Sequence, residues 1–313
     1  MVQAERTSEE RAWACLCALA TRASQGRPLV APATFDVDDA GRVQELPSSA
    51  GHAGFISISP SSPKGFSVPS GRTLDPASAQ LLSMFLPHVL GRDSAQLVVA
   101  HLGQSADGYA ATFCGRDKFI TGQDDIRHTH RMRALFDVVL VGASTVEIDD
   151  PQLTTRLVKG TSPVRVVLDP RARLHSRHQV FTDETAHTLV VTEPGRRSQL
   201  PAHVERMEVP RTAAGVLDLE ELLQALRARG LPRVFIEGGA LTIAHFLRAK
   251  LLHRLQLAVA PVILGPGPAL PAHRLSPRVL PTLGQTRSFS LGDDTLFETA
   301  LRAAPLSAAA PGA

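Results

Sequence analysis

Four places in the chain set residues with chemical capacity beside small residues at a turn. In VGASTVEIDDPQLTTR, an apolar run ends at Gly142, Ser144 and Thr145 follow, and Asp149, Asp150 and Arg156 stand close behind. In FIEGGALTIAHFL, Glu237 directly precedes Gly238 and Gly239. In VVLDPRARL, Arg171 and Arg173 follow an apolar run, and LVVAHL runs into a Ser105, Asp107, Gly108 turn signal. Amides at a helix start, helped by the helix dipole, suit a phosphate. Paired glycines let a ligand approach the backbone with no Cβ in the way, and arginine grips phosphate with two parallel donors. Each feature also has an ordinary reading: Ser or Thr at a helix start is a cap, a Gly-Gly turn is common, and surface arginines are usually solvated. Together they describe one kind of site, in which a dinucleotide and a phosphorylated substrate account for both groups. The glycines do not form the GxGxxG fingerprint.

A helical pattern over Asp124 to Leu135 adds Arg127, His128, His130, Arg131 and Arg133. His128 and His130 are two apart and share no helical face, so they do not read as a metal pair. The plain expectation for these residues is a solvated basic face. Cys15, Cys17 and Cys114 show no zinc spacing and no even count for a disulfide framework. Free thiols in a reducing compartment are expected, and no metal.

Elements must place these residues. LVVAHL, DVVLVG, VRVVLD, HTLVVT, RVFIEG and LQLAVAPVIL are short apolar runs of the kind that strands buried on both faces produce. Helical patterns over Asp124 to Leu135, Leu217 to Arg229 and Ala240 to Leu251 lie between them. The alternation predicts an α/β fold with a mainly parallel sheet, whose ligands bind beyond the carboxyl ends of the strands. Arg287 to Leu301 predicts an antiparallel hairpin turning at Gly292, Asp293 and Asp294. Residues 93–302 form this domain. Residues 1–92 read as a separate appendage: a helix starting near Thr7 and stopping by Gly26, short strands with a hairpin near Gly41, then a helix over Ala77 to Leu90. Residues 303–313 are rich in Ala and Pro and read as a disordered tail.

The chain has 313 residues and a formal net charge of +3, with 4% aromatics, and a pI near 9.0. Arginine is dispersed rather than clustered, which argues against nucleic acid as the partner. No apolar run reaches the roughly 18 residues of a membrane span. The charged start, MVQAERTSEERAW, is unlike a signal peptide, so the cytoplasm is expected.

From about Leu97 to Leu301, the motifs LGQSADG, FITG, HRMR, DVVLVGASTVEIDDPQLTTR, VRVVLDPRARL, IEGGALTIAHFL and LHRLQLAVAPVILG occur in an order and spacing that resemble the reductase domain of riboflavin biosynthesis. That domain is the C-terminal part of a bifunctional deaminase/reductase. The resemblance implies a dihydrofolate-reductase-like three-layer sandwich, NADPH as cofactor, and reduction of the ribosyl group of a phosphoribosylamino-pyrimidine to ribityl. It also implies a homodimer, to which LQLAVAPVIL could contribute. Residues 1–92 lack the H-x-E and P-C-x-x-C signature of the partner zinc deaminase, so they are not expected to deaminate.

By the same resemblance, Gly103, Phe119, Thr145 and Asp149 contact the cofactor, together with Gly142. The segment Gly239 to His245 falls on its pyrophosphate loop, and Gly238, Gly239, Ala240, Leu241 and Thr242 are expected to bind the cofactor. Asp117, Arg133, Leu153, Arg156 and Glu237 fall on substrate positions. Asp149 is expected to stabilise positive charge at the reacting carbon and Glu237 to hold ribose hydroxyls. Arg133 and Arg156 are expected on the substrate phosphate, and Arg171 on the cofactor's 2′-phosphate. Phe119 stands where many members have Trp, and Asp117 and Pro170 where many have Ser. The Asp117 departure and the appendage keep open a same-fold reductase for a pterin or a specialised-metabolite heterocycle; a non-catalytic nucleotide-binding protein is the more distant alternative.

Overall fold

The computed structural model describes residues 7–47, 54–61, 64–69, 71, 73–90, 96–110, 120–196, 199–265 and 283–301. The chain divides into two units, Met1–Ala95 and Gln96–Ala313.

In the first unit, α1 (Ser8–Ser24) begins at a capping box. Thr7 Oγ1 accepts the Glu10 amide, and the Glu10 carboxylate accepts the Thr7 amide. Strands β1 (Ala33–Val37) and β2 (Val43–Leu46) form a hairpin whose turn is held by Asp38, which accepts the Arg42 amide at 2.8 Å. With β3 (Ile56–Ile58) and β4 (Phe66–Ser67) they make an antiparallel sheet ordered β2-β1-β3-β4. Helix α2 (Pro76–Val89) starts under an Asp75 cap with proline in its first turn. Trp13 of α1 meets Phe85 of α2 edge-on at 5.9 Å. Burial pushes the Cys15 and Cys17 thiols up to about 12, so neither offers a thiolate at neutral pH.

The second unit runs β5 (Leu97–Ser105), α3 (Gln123–Leu135), β6 (Val138–Gly142), α4 (Ala143–Asp149), β7 (Val164–Leu168), α5 (Gln179–Thr182), β8 (Thr188–Thr192), β9 (Glu205–Glu208), α6 (Leu219–Ala228), β10 (Arg233–Glu237), α7 (Ala240–Arg248), β11 (Arg254–Ala260), β12 (Leu283–Leu291) and β13 (Asp294–Leu301). The strands form one nine-stranded sheet, ordered β12-β13-β11-β5-β10-β6-β7-β8-β9. From β11 to β9 all neighbours are parallel, and the β12–β13 hairpin adds the antiparallel edge. This is the architecture that the alternation of apolar runs and helical patterns predicts.

The parallel strands are apolar on both faces because helices cover both. Val98, Leu140, Val166, Val191 and Val234 pack on one face with Leu222 and Leu226 of α6 and Phe246 of α7. On the other face, Phe235 of β10 meets Phe136, which follows α3, at 5.8 Å. The result is three layers. Strand order departs from chain order where the late strands return: β10 inserts between β5 and β6, β11 takes the other side of β5, and β13 lies between β11 and β12. Its end, Glu237-Gly238-Gly239, is thereby set between the ends of the strands carrying Gly103 and Gly142.

LQLAVAPVIL differs from the sequence expectation. Its strand stops at Ala260, since Pro261 has no N–H to give and the Leu264 and Gly265 amides turn to the Asp107 carboxylate. The strand lies inside the sheet, and the large apolar side chains the run exposes are Val262 and Ile263. Among the described residues, no helix is long and apolar enough to cross a membrane.

Candidate active site

Register brings five polar residues into one row across the sheet. Glu237 on β10 pairs with His101 on β5, His101 with Gln256 on β11, Gln256 with Glu298 on β13, and Glu298 with Arg287 on β12. Register partners point to the same face of a sheet, and contacts with α3 side chains identify it as the α3 face. The basic face expected to be solvated on α3 is instead partly turned inward: His128, His130 and Arg133 are buried. The cause is tertiary, because the sheet offers partners that water would otherwise supply.

Arg133 is the centre of this arrangement. Its Nε donates to Glu237 Oε2 at 2.7 Å and its Nη2 to Glu237 Oε1, a bidentate pair. Its Nη1 donates to the Thr154 carbonyl at 2.9 Å. The two side chains are 7% and 19% exposed. Burial alone would push the Glu237 carboxyl up, but Arg133, with His101 and His130 behind it, holds it below the usual range. Further along the row, His101 Nε2 lies 3.3 Å from Asp125 Oδ2, which also accepts the Thr121 hydroxyl at 2.7 Å. Burial pulls His101 down; Asp125 and Glu237 outweigh it, and the net shift is upward. Against the cost of its own burial, Asp125 is lowered to about 2 by His101 and His128. His128 bonds Gln256 at 2.9 Å, Gln256 donates to Glu298, and Arg254 and Arg287 pair with Glu298.

A second cluster forms where β6 and β10 end side by side. A Cβ added at Gly142 would lie 2.5 Å from Thr242 Oγ1, and one at Gly239 would lie 2.9 Å from Thr145 Oγ1. Gly142, Thr145, Gly239 and Thr242 therefore share one glycine-lined cradle. Gly239 caps α7 with φ +72 and no side-chain hydrogen bond to the first turn, while Leu241 is exposed at 52%. The donors, the missing Cβ atoms and the helix start fit the phosphates of a dinucleotide. On β5, Gly103 packs under Thr121, whose Cγ2 would sit 3.1 Å from an added Cβ. After β7, Arg171 is exposed. Arg173 reaches α4, donating to Ser144 Oγ at 2.9 Å and pairing with Glu147 at 2.8 Å.

A third segment joins the two. Asp149 ends α4 and is exposed. Asp150 takes a left-handed turn at φ 44 and accepts the Gln179 amide at 2.8 Å, so its part is to shape the turn. Leu153, with φ 59, is 1% exposed, which leaves backbone rather than side chain to face a ligand. Arg156 Nη1 donates to Thr154 Oγ1 at 2.7 Å and approaches the Thr154 carbonyl at 3.5 Å, the carbonyl that Arg133 also holds. Two guanidinium groups thus converge on one peptide. His130 Nδ1 accepts the Arg156 amide at 2.9 Å and the Leu157 amide at 3.4 Å.

The structure thus brings together Glu237, Arg133 and Arg156, and separately Gly142, Thr145, Gly239 and Thr242. Asp117 and Phe119 lie outside the described residues. Nothing in the sequence pattern alone assigns Thr154, Asp125, His101 or His130 to the site. The i, i+3 spacing of His130 and Arg133 was the available signal, but it does not tell an inward face from an outward one.

Known proteins share both the sequence and the architecture of the larger unit. Residues 96–297 match the family model described as RibD C-terminal domain. A 2,5-diamino-6-ribosylamino-4(3H)-pyrimidinone 5′-phosphate reductase of Methanothermobacter thermautotrophicus is 33% identical over 171 residues, covering 54% of this chain and 79% of that protein. The riboflavin biosynthesis protein RibD of Aquifex aeolicus is 32% identical over 165 residues, 52% of this chain but 46% of its own length. The crystal structure of a diaminohydroxyphosphoribosylaminopyrimidine deaminase/5-amino-6-(5-phosphoribosylamino)uracil reductase from Thermotoga maritima superposes with a TM-score of 0.57 at 29% identity, covering 72% of this chain and 61% of that one. The chain thus spans most of the archaeal relative and about half to three fifths of the other two.

Proposed function

The chain belongs to the family of the RibD C-terminal domain, and on that footing we propose that it reduces the ribosyl group of a phosphoribosylamino-pyrimidine to ribityl, with NADPH as reductant, in riboflavin biosynthesis. One observation carries the substrate half of this reading. Arg133 and Arg156 converge on Thr154 beside a partly buried carboxylate, Glu237. Two cations against one anion leave a surplus positive charge, which a phosphorylated sugar matches. The cradle at Gly142, Thr145, Gly239 and Thr242 supports the cofactor half, and the names of the relatives support the reaction.

A bound reduced nicotinamide supplies a hydride. The protein's part is to place the sugar in its open-chain imine form and to stabilise what develops there. Reduction at the anomeric carbon must be matched by a proton on the neighbouring nitrogen. Asp149 at the end of α4 is the carboxylate we assign to the developing positive charge. Glu237, ionised and fixed by Arg133, is assigned to the sugar hydroxyls. Arg156 is the arginine we favour for the substrate phosphate, since the three donor groups of Arg133 already have acceptors. Asp117 and Phe119 keep their proposed substrate and cofactor positions, as do Gly103, Leu153 and the loop Gly238 to Thr242. Arg171 is proposed for the 2′-phosphate that separates NADPH from NADH. A homodimer and a cytoplasmic setting belong to the same proposal.

The test is to incubate the purified full chain with NADPH or NADH and each of the two pathway pyrimidines, aminated and deaminated. Nicotinamide absorbance and ribityl product would be followed together. The proposal requires ribityl product with NADPH and at least one pyrimidine. NADPH consumption without ribityl product, or no turnover of either, removes it.

A further inference from the structure

Helix α3 touches the site twice, and the reductase reading uses only one of the two contacts. Arg133 holds Glu237. One turn earlier, on the same side of the helix, His130 is 3% exposed and reaches the opposite wall. Its Nδ1 is an acceptor shared by two successive main-chain amides, those of Arg156 and Leu157. A ring nitrogen that accepts from N–H groups carries no proton, so His130 is neutral with its hydrogen on Nε2. Burial and the nearby Arg133 and Arg156 charges agree, lowering it to about 4.

The acceptor that fixes the Arg156 and Leu157 amides is the His130 ring. They follow Leu153 in a left-handed conformation, and Arg156 and Leu157 are exposed. The hydrogen bonds beside them run from Arg133 to the Thr154 carbonyl, from the Thr155 amide to Ser162 Oγ at 3.1 Å, and from the Thr155 hydroxyl to the Thr161 carbonyl at 3.2 Å. Against the helix itself, Gly160 lies so close to Ala134 that an added Cβ would sit 2.6 Å from its Cβ. The loop is thus seated on α3 at His130, Arg133 and Ala134.

We propose that His130 is a positioning residue: by accepting the Arg156 and Leu157 amides it sets the Arg156 guanidinium beside Thr154, where it meets the phosphate of the substrate. The inference rests on the phosphorylated-sugar reading of the site but not on the reduction. Without the ring acceptor the two amides lose their partner and the loop can rotate, carrying Arg156 away from Arg133 and Glu237. Asparagine is the conservative replacement, since its side-chain oxygen falls near Nδ1; leucine fills the space without an acceptor.

The experiment uses the full chain and two readouts that need no turnover. The first is hydrogen exchange at the Arg156 and Leu157 amides. The second is calorimetric affinity for ribose 5-phosphate, with ribose as the unphosphorylated control. His130→Leu is expected to speed exchange at both amides and to weaken ribose 5-phosphate binding at least tenfold, leaving ribose unchanged. His130→Asn is expected to stay within about threefold of the parent in both, and His130→Leu combined with Arg156→Ala to bind no worse than Arg156→Ala alone. Equal losses in the Asn and Leu variants, equal losses for ribose and ribose 5-phosphate, or a parent that binds the two alike would each overturn the proposal. A parent that shows the expected pattern but reduces no pyrimidine leaves this inference standing and removes the reductase reading instead.

Discussion

Replacing Arg133 by methionine removes the charge and keeps most of the volume, and it isolates what holds Glu237 ionised in the sheet. Arg133 donates twice to Glu237, and the pair is 7% and 19% exposed. Removing one partner of such a buried pair typically costs about 3–5 kcal/mol. The structure also supplies a ceiling, since Glu237 can escape by taking a proton. Protonating a carboxyl of ordinary pKa 4.5 at pH 7 costs about 3.4 kcal/mol, at about 1.36 kcal/mol per unit. At pH 5 the same escape costs only about 0.7 kcal/mol. The variant should therefore lose about 3 kcal/mol at pH 7, and that loss should shrink by up to about 2.7 kcal/mol toward pH 5.

The sign follows from the raised pKa of Glu237 in the variant. Its contribution is full below the unfolded value and is lost as pH rises through the folded one. In the parent, Glu237 is lowered, so the parent shows the opposite trend, losing this contribution only as pH falls below the ordinary carboxylate range. Urea unfolding of parent and variant at pH 5 and 7 gives both numbers. Arg133→Met with Glu237→Gln buries no charge and should recover most of the loss. A loss below about 1 kcal/mol, or one equal at both pH values, refutes the reasoning.

Three further outcomes are expected. Asp149→Asn should lower kcat for the pyrimidine about a hundredfold, the scale of one charge-stabilising group; turnover near that of the parent in steady-state assays would remove its charge role. Gly239→Ala should raise the KM for NADPH at least tenfold with little change in that for the pyrimidine, because the new Cβ meets Thr145 Oγ1 at 2.9 Å and φ +72 is left-handed. It should also cost about 1–2 kcal/mol of stability, and unchanged cofactor kinetics would count against the cradle. His130 is lowered from 6.5 to about 4, so between those values the unfolded chain binds the proton and the folded one does not. Stability should fall as pH drops through that window, and His130→Asn should flatten the decline in urea titrations; identical slopes would show that the histidine is not held neutral.

The sequence by itself determined the architecture of the larger unit. Runs such as VVLV and VFI, apolar without alternation, require cover on both faces, and helical stretches between them require parallel crossovers. It also marked strand ends, since Gly142 and the Gly238-Gly239 pair stand there whatever the strand order. Strand order itself depends on contacts between residues far apart in the chain. Only the folded sheet inserts β10 between β5 and β6, so only there does Thr242 face Gly142 and Thr145 face Gly239. Register is equally non-local, and it decides that Glu237, His101, Gln256 and Glu298 form one row on the α3 face. The same holds for α3. A stretch reading RHTHRMR looks like a solvated basic surface because a pattern of charges does not say what opposes it. The sheet and the 152–157 loop supply a carboxylate, a carbonyl and two amides, and those partners turn Arg133 and His130 inward, where desolvation would otherwise forbid them.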